Sequence, residues 1–168
     1  MKTRDPQTKI QPLETLLPQR DNWRRQGHTV VWTNGCFDVL HVGHIRNLCA
    51  AAQLGDILVV GINSDDSVRR LKGAGRPLNG QDERAELLAA LEFVDYVVIY
   101  GDDLPMSVLA RLQPEIHCKG SEYAPPHGKP VPETDTVRSY GGEIRYLPQI
   151  PNRSTSEIIR RIQEVNSQ

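Results

Sequence analysis

His41 and His44 stand three residues apart, with Gly43 between them, in the segment Thr33-Asn34-Gly35-Cys36-Phe37-Asp38-Val39-Leu40-His41-Val42-Gly43-His44. An apolar run, Val30-Val31-Trp32, leads into this segment, and Ile45-Arg46-Asn47-Leu48-Cys49-Ala50-Ala51-Ala52 leads out of it in a helical pattern. The two histidines therefore belong to the first helical turn of a strand–turn–helix unit. Helix openings leave backbone N–H groups unpaired and carry partial positive charge, so they attract anions. Two imidazole donors, and a glycine that lets a ligand approach the backbone, make such an opening a phosphate cradle. An isolated pair of this kind reads more simply as one helix-capping and one surface histidine. The strand end, the tight turn at Asn34-Gly35 and the intervening Gly43 favour a nucleoside triphosphate site instead. Zinc is disfavoured, because no third or fourth ligand lies at suitable spacing.

Other residues offer weaker chemistry of their own. Lys72 ends a helical stretch and opens the glycine-rich run Lys72-Gly73-Ala74-Gly75-Arg76-Pro77-Leu78-Asn79-Gly80, where a cation also relieves the helix C-terminus. Asp38 and Asp65 follow the first and second strand patterns, and Asp65 is a natural N-cap. Ser154 with Glu157 fits a capping box at the start of the last helix. The same capped start would offer N–H groups and the hydroxyls of Ser154, Thr155 and Ser156 to an anion, with Arg153 as a bidentate phosphate donor. Arg84, in Asp82-Glu83-Arg84, is explained adequately by a solvated helix face. His28, His117 and His127 have no motif context.

These residues hang on an alternating framework. Residues 30–33, 57–62, 94–100, 115–118 and 143–147 read as buried strands, rich in Val, Ile and Tyr. Helical patterns cover about residues 43–54, 65–71, 82–92, 104–112, 133–140 and 155–165. Such alternation implies a single α/β, Rossmann-like domain: a mostly parallel five-stranded sheet with helices on both faces. Ligands bind beyond the carboxyl ends of the strands, where the strand order reverses. Residues 1–27 are polar and broken by Pro6, Pro12 and Pro18; Leu13, Leu16 and Leu17 seed at most a short helix in a peripheral segment. The glycine-rich run and residues 121–132 are too long for mere connectors, so either is a lid candidate.

With 168 residues, the chain has the length of one domain with a real core. A net charge of −1 implies no broad basic face, which argues against a nucleic-acid partner. No apolar run approaches membrane-spanning length and no signal peptide is evident. Cys36, Cys49 and Cys118, odd in number and widely spaced, fit reduced thiols and hence a cytoplasmic location.

The segment at residues 33–44 resembles the HxGH signature of the nucleotidyltransferase superfamily. Gly61-Ile62-Asn63-Ser64-Asp65, Ser67-Val68-Arg69-Arg70-Leu71-Lys72-Gly73, Arg76-Pro77, Asp82-Glu83-Arg84, Lys119-Gly120 and Arg153-Ser154-Thr155-Ser156 extend the resemblance, in order, over about residues 28–165. Together they are similar to the adenylyltransferase domain of bacterial ADP-heptose synthases, here expected as a stand-alone version spanning 28–168. The resemblance implies transfer of AMP from ATP to heptose 1-phosphate with release of pyrophosphate. It implies His41, His44 and Lys72 as catalytic residues. It places Asn34, Gly35, Cys36, Phe37, Gly43, Lys119, Gly120 and Arg153 to Ser156 at the nucleotide, and Asp38, Asp65 and Arg84 at the acceptor. Mg²⁺ is implied as a cofactor carried mainly by the nucleotide phosphates, without a protein metal site. Ser121-Glu122-Tyr123 departs from the usual Gly-Asp-Tyr after Lys-Gly. Relatives are commonly dimers or larger, so a homo-oligomer is expected. The nearest alternative is CTP with glycerol 3-phosphate or a related alcohol phosphate; a non-catalytic nucleotide-binding module is a further one. An aminoacyl-transfer relative is disfavoured, because no anticodon-binding region is evident.

Overall fold

Five strands, β1 (Val30–Gly35), β2 (Ile57–Asn63), β3 (Tyr96–Tyr100), β4 (Ile116–Gly120) and β5 (Glu143–Leu147), form one sheet in the order β3-β2-β1-β4-β5. In the computed structural model, which describes residues 4–148 and 154–166, every pairing in that sheet is parallel. Parallel strands are covered on both faces, which is why β2 is buried at all seven positions and reads as a continuous apolar run. The chain runs outward from β1 through β2 to β3, then returns to the other side of β1 for β4 and β5. The order therefore reverses between β1 and β4, and the carboxyl ends of these two strands flank the switch point.

Among the described residues, seven α-helices connect and cover the strands: α1 (Leu13–Arg25), α2 (Val42–Ala52), α3 (Asp65–Lys72), α4 (Gln81–Ala89), α5 (Met106–Leu112), α6 (Thr134–Ser139) and α7 (Thr155–Asn166). Alternation along each strand splits the core in two. Val31, Leu58, Val60 and Ile62 meet Leu48 and Ala51 of α2 and Ala85, Leu88 and Ala89 of α4. Trp32, Val59, Val98 and Tyr100 meet Leu16 and Trp23 of α1, Leu109 and Leu112 of α5 and Val137 of α6. At Gly61 a Cβ would come within 2.2 Å of the Trp32 ring, so the bare backbone of β2 lets that indole lie against it.

The N-terminal segment is integral to the packing, which differs from the expected peripheral one with at most a short helix. The helix seeded by Leu13, Leu16 and Leu17 runs thirteen residues despite Pro18. Arg20, only 2% exposed, donates to the Leu112 (3.0 Å) and Gln113 (2.9 Å) carbonyls and pairs with Glu115. Glu115 in turn accepts from the Val30 amide at 2.8 Å, so α1 is tied to the start of β1. Upstream, Ile10 bridges to Val97 and the Gln11 amide donates to its carbonyl at 3.0 Å, covering the outer edge of β3. The polar, proline-broken composition concealed this because the contacts are few, specific and long-range.

Candidate active site

Between β1 and α2 the chain turns sharply through Phe37, a non-glycine residue at φ 47°. A left-handed backbone costs an L-residue roughly 1–2 kcal/mol, so its surroundings must hold it. Gly35 makes room: a Cβ there would lie 3.2 Å from the Phe37 ring. The ring meets His44 edge-on, with centroids 5.1 Å apart. His41 then caps α2, its Nδ1 accepting from the Gly43 amide at 3.1 Å. That bond leaves the ring proton of a neutral His41 on Nε2.

One turn into α2, the His44 ring stacks on His41 with centroids 3.7 Å apart and planes 23° from parallel. Two imidazolium rings would repel in that stack. Burial and the neighbouring His41 accordingly pull the His44 pKa down to about 4, so His44 is neutral at physiological pH. Its Nδ1 is buried without a partner. A bare acceptor is tolerated in such a place better than a bare N–H, which puts the proton on Nε2 here too.

The histidines line a cleft of about 510 Å³ with Gly35, Cys36, Phe37, Asp38, Gly43, Asn47, Lys72, Arg76, Glu122, Ser154, Thr155 and Ser156. A second cleft of about 450 Å³ shares Gly35, Cys36, Phe37, His44, Asn47, Lys72 and Glu122 with the first and extends over Asn34, Asn63, Asp103, Lys119, Gly120, Tyr123 and Glu133. The two volumes lie in the size range of small-molecule sites. Two helix starts reach the first cleft: that of α2, and that of α7, where the Ser154 hydroxyl accepts from the Glu157 amide at 3.2 Å. The Thr155 hydroxyl donates to the Val39 carbonyl at 3.2 Å and so ties α7 to the loop after β1. Arg153 lies outside the described residues.

The three residues expected at the acceptor all make framework contacts. The Asp38 carboxylate is 2% exposed; it pairs with Arg76 and accepts from the amides of Leu78 (2.6 Å) and Asn79 (3.2 Å). Those bonds pin the later half of the glycine-rich run; Gly73, at φ 101°, ends α3, and its carbonyl accepts from the Arg76 amide at 3.1 Å. Arg84 is fully buried rather than on a solvated face, donating to the Asn79 carbonyl (3.1 Å), the Cys36 carbonyl (2.7 Å) and Asp65 (2.8 Å). Asp65 is the first residue of α3 and not its cap; Ser64 caps, its hydroxyl accepting from the Ser67 amide at 3.3 Å. Lys72 ends α3 exposed and lines both clefts. Lys119, at the end of β4, pairs with Glu133 at 3.0 Å.

Asn34 is similarly engaged: Trp32 Nε1 donates to its Oδ1 (3.3 Å), and its Nδ2 donates to the Tyr100 hydroxyl (3.1 Å). Tyr100 donates to Asn63 (3.2 Å), and Asn63 to Ser67 (3.0 Å), locking together the carboxyl ends of β1, β2 and β3. Burial pushes the Cys36 thiol up, which disfavours a thiolate nucleophile. Asn47, on both cleft walls, was not singled out in the sequence, although its spacing four residues after Gly43 places it on the same helix face. Glu133 gave no motif signal, and Tyr123 entered only as the last residue of the stretch that follows Lys119-Gly120.

A family model described as cytidylyltransferase-like matches residues 32–161. The bifunctional protein HldE of Syntrophotalea carbinolica is 48% identical over 155 residues, which cover 92% of this chain and 31% of that protein. HldE of Campylobacter concisus is 44% identical over 158 residues, covering 94% and 31% respectively. The chain thus spans about a third of the length of these curated relatives. Among solved structures, a lipopolysaccharide core biosynthesis protein of Thermoplasma volcanium matches with a TM-score of 0.58 and 26% identity, covering 74% of this chain and 98% of that one. A pantoate-beta-alanine ligase of Francisella tularensis, at 14% identity and a TM-score of 0.56 over 95% of this chain and 79% of its own, shares the fold.

Proposed function

The chain belongs to the cytidylyltransferase-like family, and from that premise we propose that it transfers AMP from ATP to heptose 1-phosphate, releasing pyrophosphate. The stacked His41–His44 pair at the opening of α2 carries this reading, because it brings two imidazoles to a cleft that a second helix start also reaches. The similarity to HldE proteins and the motif blocks from Gly61 to Ser156 support the choice of nucleotide and acceptor.

A sugar phosphate is already largely dianionic near neutral pH, its second pKa being about 6, and attacks the α-phosphorus without a general base. Positioning and charge neutralisation are what remain for the protein to supply. His41 and His44 donate through Nε2–H to the α-phosphoryl oxygens, where negative charge grows as the bond to pyrophosphate breaks. Lys72, on its glycine-flanked stretch, closes over the triphosphate. Lys119, the α7 start with Ser154, Thr155 and Ser156, and Arg153 hold its tail. Asn34, Gly35, Cys36, Phe37, Gly43 and Gly120 shape the backbone around it. Asp38, Asp65 and Arg84 act on the acceptor side by fixing the loop it packs against.

Among the described residues, no group of three or more His, Cys, Asp or Glu side chains is arranged to hold a metal ion. Mg²⁺ carried in with the nucleotide would supply the neutralisation of charge on the departing pyrophosphate. No described helix is long and apolar enough to cross a membrane.

Pyrophosphate release, measured with ATP and with CTP against heptose 1-phosphate, glycerol 3-phosphate and other polyol phosphates, tests the proposal. ATP with heptose 1-phosphate should be the preferred pair. Preference for CTP with an alcohol phosphate would replace it, and nucleotide binding without release from any pair would make the chain a binding module.

A further inference from the structure

Residues 121–132 have so far played no part in the chemistry, yet both ends of this segment close on one side chain. Its first turn, Ser121–Tyr123, puts the Tyr123 ring 4.8 Å from the Lys119 ammonium. Just beyond its far end, Glu133 accepts from that ammonium at 3.0 Å. The bracket is itself fastened, the Lys129 amide donating to the Glu122 carbonyl at 2.9 Å. Lys119 lies at the carboxyl end of β4, beside the switch point, and lines the second cleft together with Glu133.

The pair is costly to keep. Glu133 is 1% exposed and Lys119 13%, so both charges have been taken largely out of water. The second Glu133 oxygen, Oε2, is buried with no partner. A buried ion pair that leaves a carboxylate oxygen unmet does not generally out-stabilise an apolar pair of similar size. Stability thus gives little reason for a carboxylate at this position, whereas placing the cation does. Glu133 takes one of the three ammonium donors and Tyr123 screens the charge from one side. The remaining donors belong to whatever occupies the cleft.

We infer that Glu133 is a positioning residue, fixing the Lys119 ammonium at the mouth of β4 for the nucleotide phosphates. This rests on the phosphate-binding role proposed for Lys119 and adds the residue that makes that role geometric.

The test uses the full chain and two readouts, equilibrium binding of Mg-ATP and kcat/KM for ATP in pyrophosphate release. Glu133→Gln keeps the shape and removes the charge; it should weaken ATP binding and kcat/KM by about tenfold or more, the usual weight of a charge-assisted bond. Glu133→Asp should recover part of the loss. In a Lys119→Met background, Glu133→Gln should have no further effect on either readout. The apolar double variant Lys119→Met/Glu133→Leu should keep the parental melting temperature yet bind ATP as poorly as Lys119→Met alone. Independent, additive losses would overturn the inference, as would ATP binding within twofold of the parent in Glu133→Gln or in the apolar double variant. A parent that binds ATP but releases no pyrophosphate would overturn the proposed reaction, while the binding arm would still decide the role of Glu133.

Discussion

At the scale of single residues, catalysis turns on the paired imidazoles. His41 and His44 stabilise charge that appears only as the α-phosphorus reacts, so His41→Ala and His44→Ala should each lower kcat by about 10²-fold or more. The KM for ATP should change far less, because Lys72 and the α7 start remain; steady-state kinetics separates the two effects. His117 makes a contrasting case. It is fully buried in β4 with both ring nitrogens unpartnered, and burial, aided by Lys119, pulls its pKa down to about 4. An unfolded chain binds that proton near pH 6.5, so the unfolded state gains protons first and stability falls as pH drops from 6.5 toward 4. Between pH 7.5 and 5 this one site should cost about 2 kcal/mol. In urea titrations His117→Leu should match the parent at pH 7.5 and lose that much less at pH 5; an unchanged acid slope would refute the assignment.

Elements explain why those residues stay where they are. The Asp38–Arg76 pair and the Arg84–Asp65 pair join the turn after β1, the glycine-rich run and the openings of α3 and α4 into one frame. Arg84→Met would leave two half-buried carbonyls and the partly exposed Asp65 without their donor, so it should cost about 1–3 kcal/mol of stability by chemical denaturation. Here the limits of the sequence are physical. The inner strands were legible because parallel strands buried on both faces read as apolar runs, as β2 does at all seven positions, whereas β5, mostly exposed at the sheet edge, alternates polar and apolar residues. The histidines and the α7 start were legible because they sit on local signals, a turn and a cap, with close spacing. Arg84 looked like a solvated residue because the groups that bury it, Cys36 and Asn79, come from separate loops. Lys119 and Glu133 meet across a fourteen-residue separation that no periodicity records.

For the molecule as a whole, the site depends on both wings of the sheet. β1 and β2 bring the histidine turn and Lys72, while β4 and β5 bring Lys119 and lead to α7. The N-terminal segment braces the far end of β1, where Arg20 links α1 to Glu115 and through it to Val30. Arg20→Leu should therefore lower stability by about 3 kcal/mol while leaving kcat and KM near the parent's at temperatures where the variant is folded. A kinetic defect without a stability defect would mean that α1 acts on the site directly.

The most direct measurement of the central claim is a crystal structure of the protein with a non-hydrolysable ATP analogue and Mg²⁺. Both Nε2 atoms, of His41 and His44, should lie about 3 Å from α-phosphoryl oxygens, with the β- and γ-phosphates against Ser154, Thr155 and Ser156. Rings turned away from the nucleotide, with the triphosphate seated elsewhere, would contradict it.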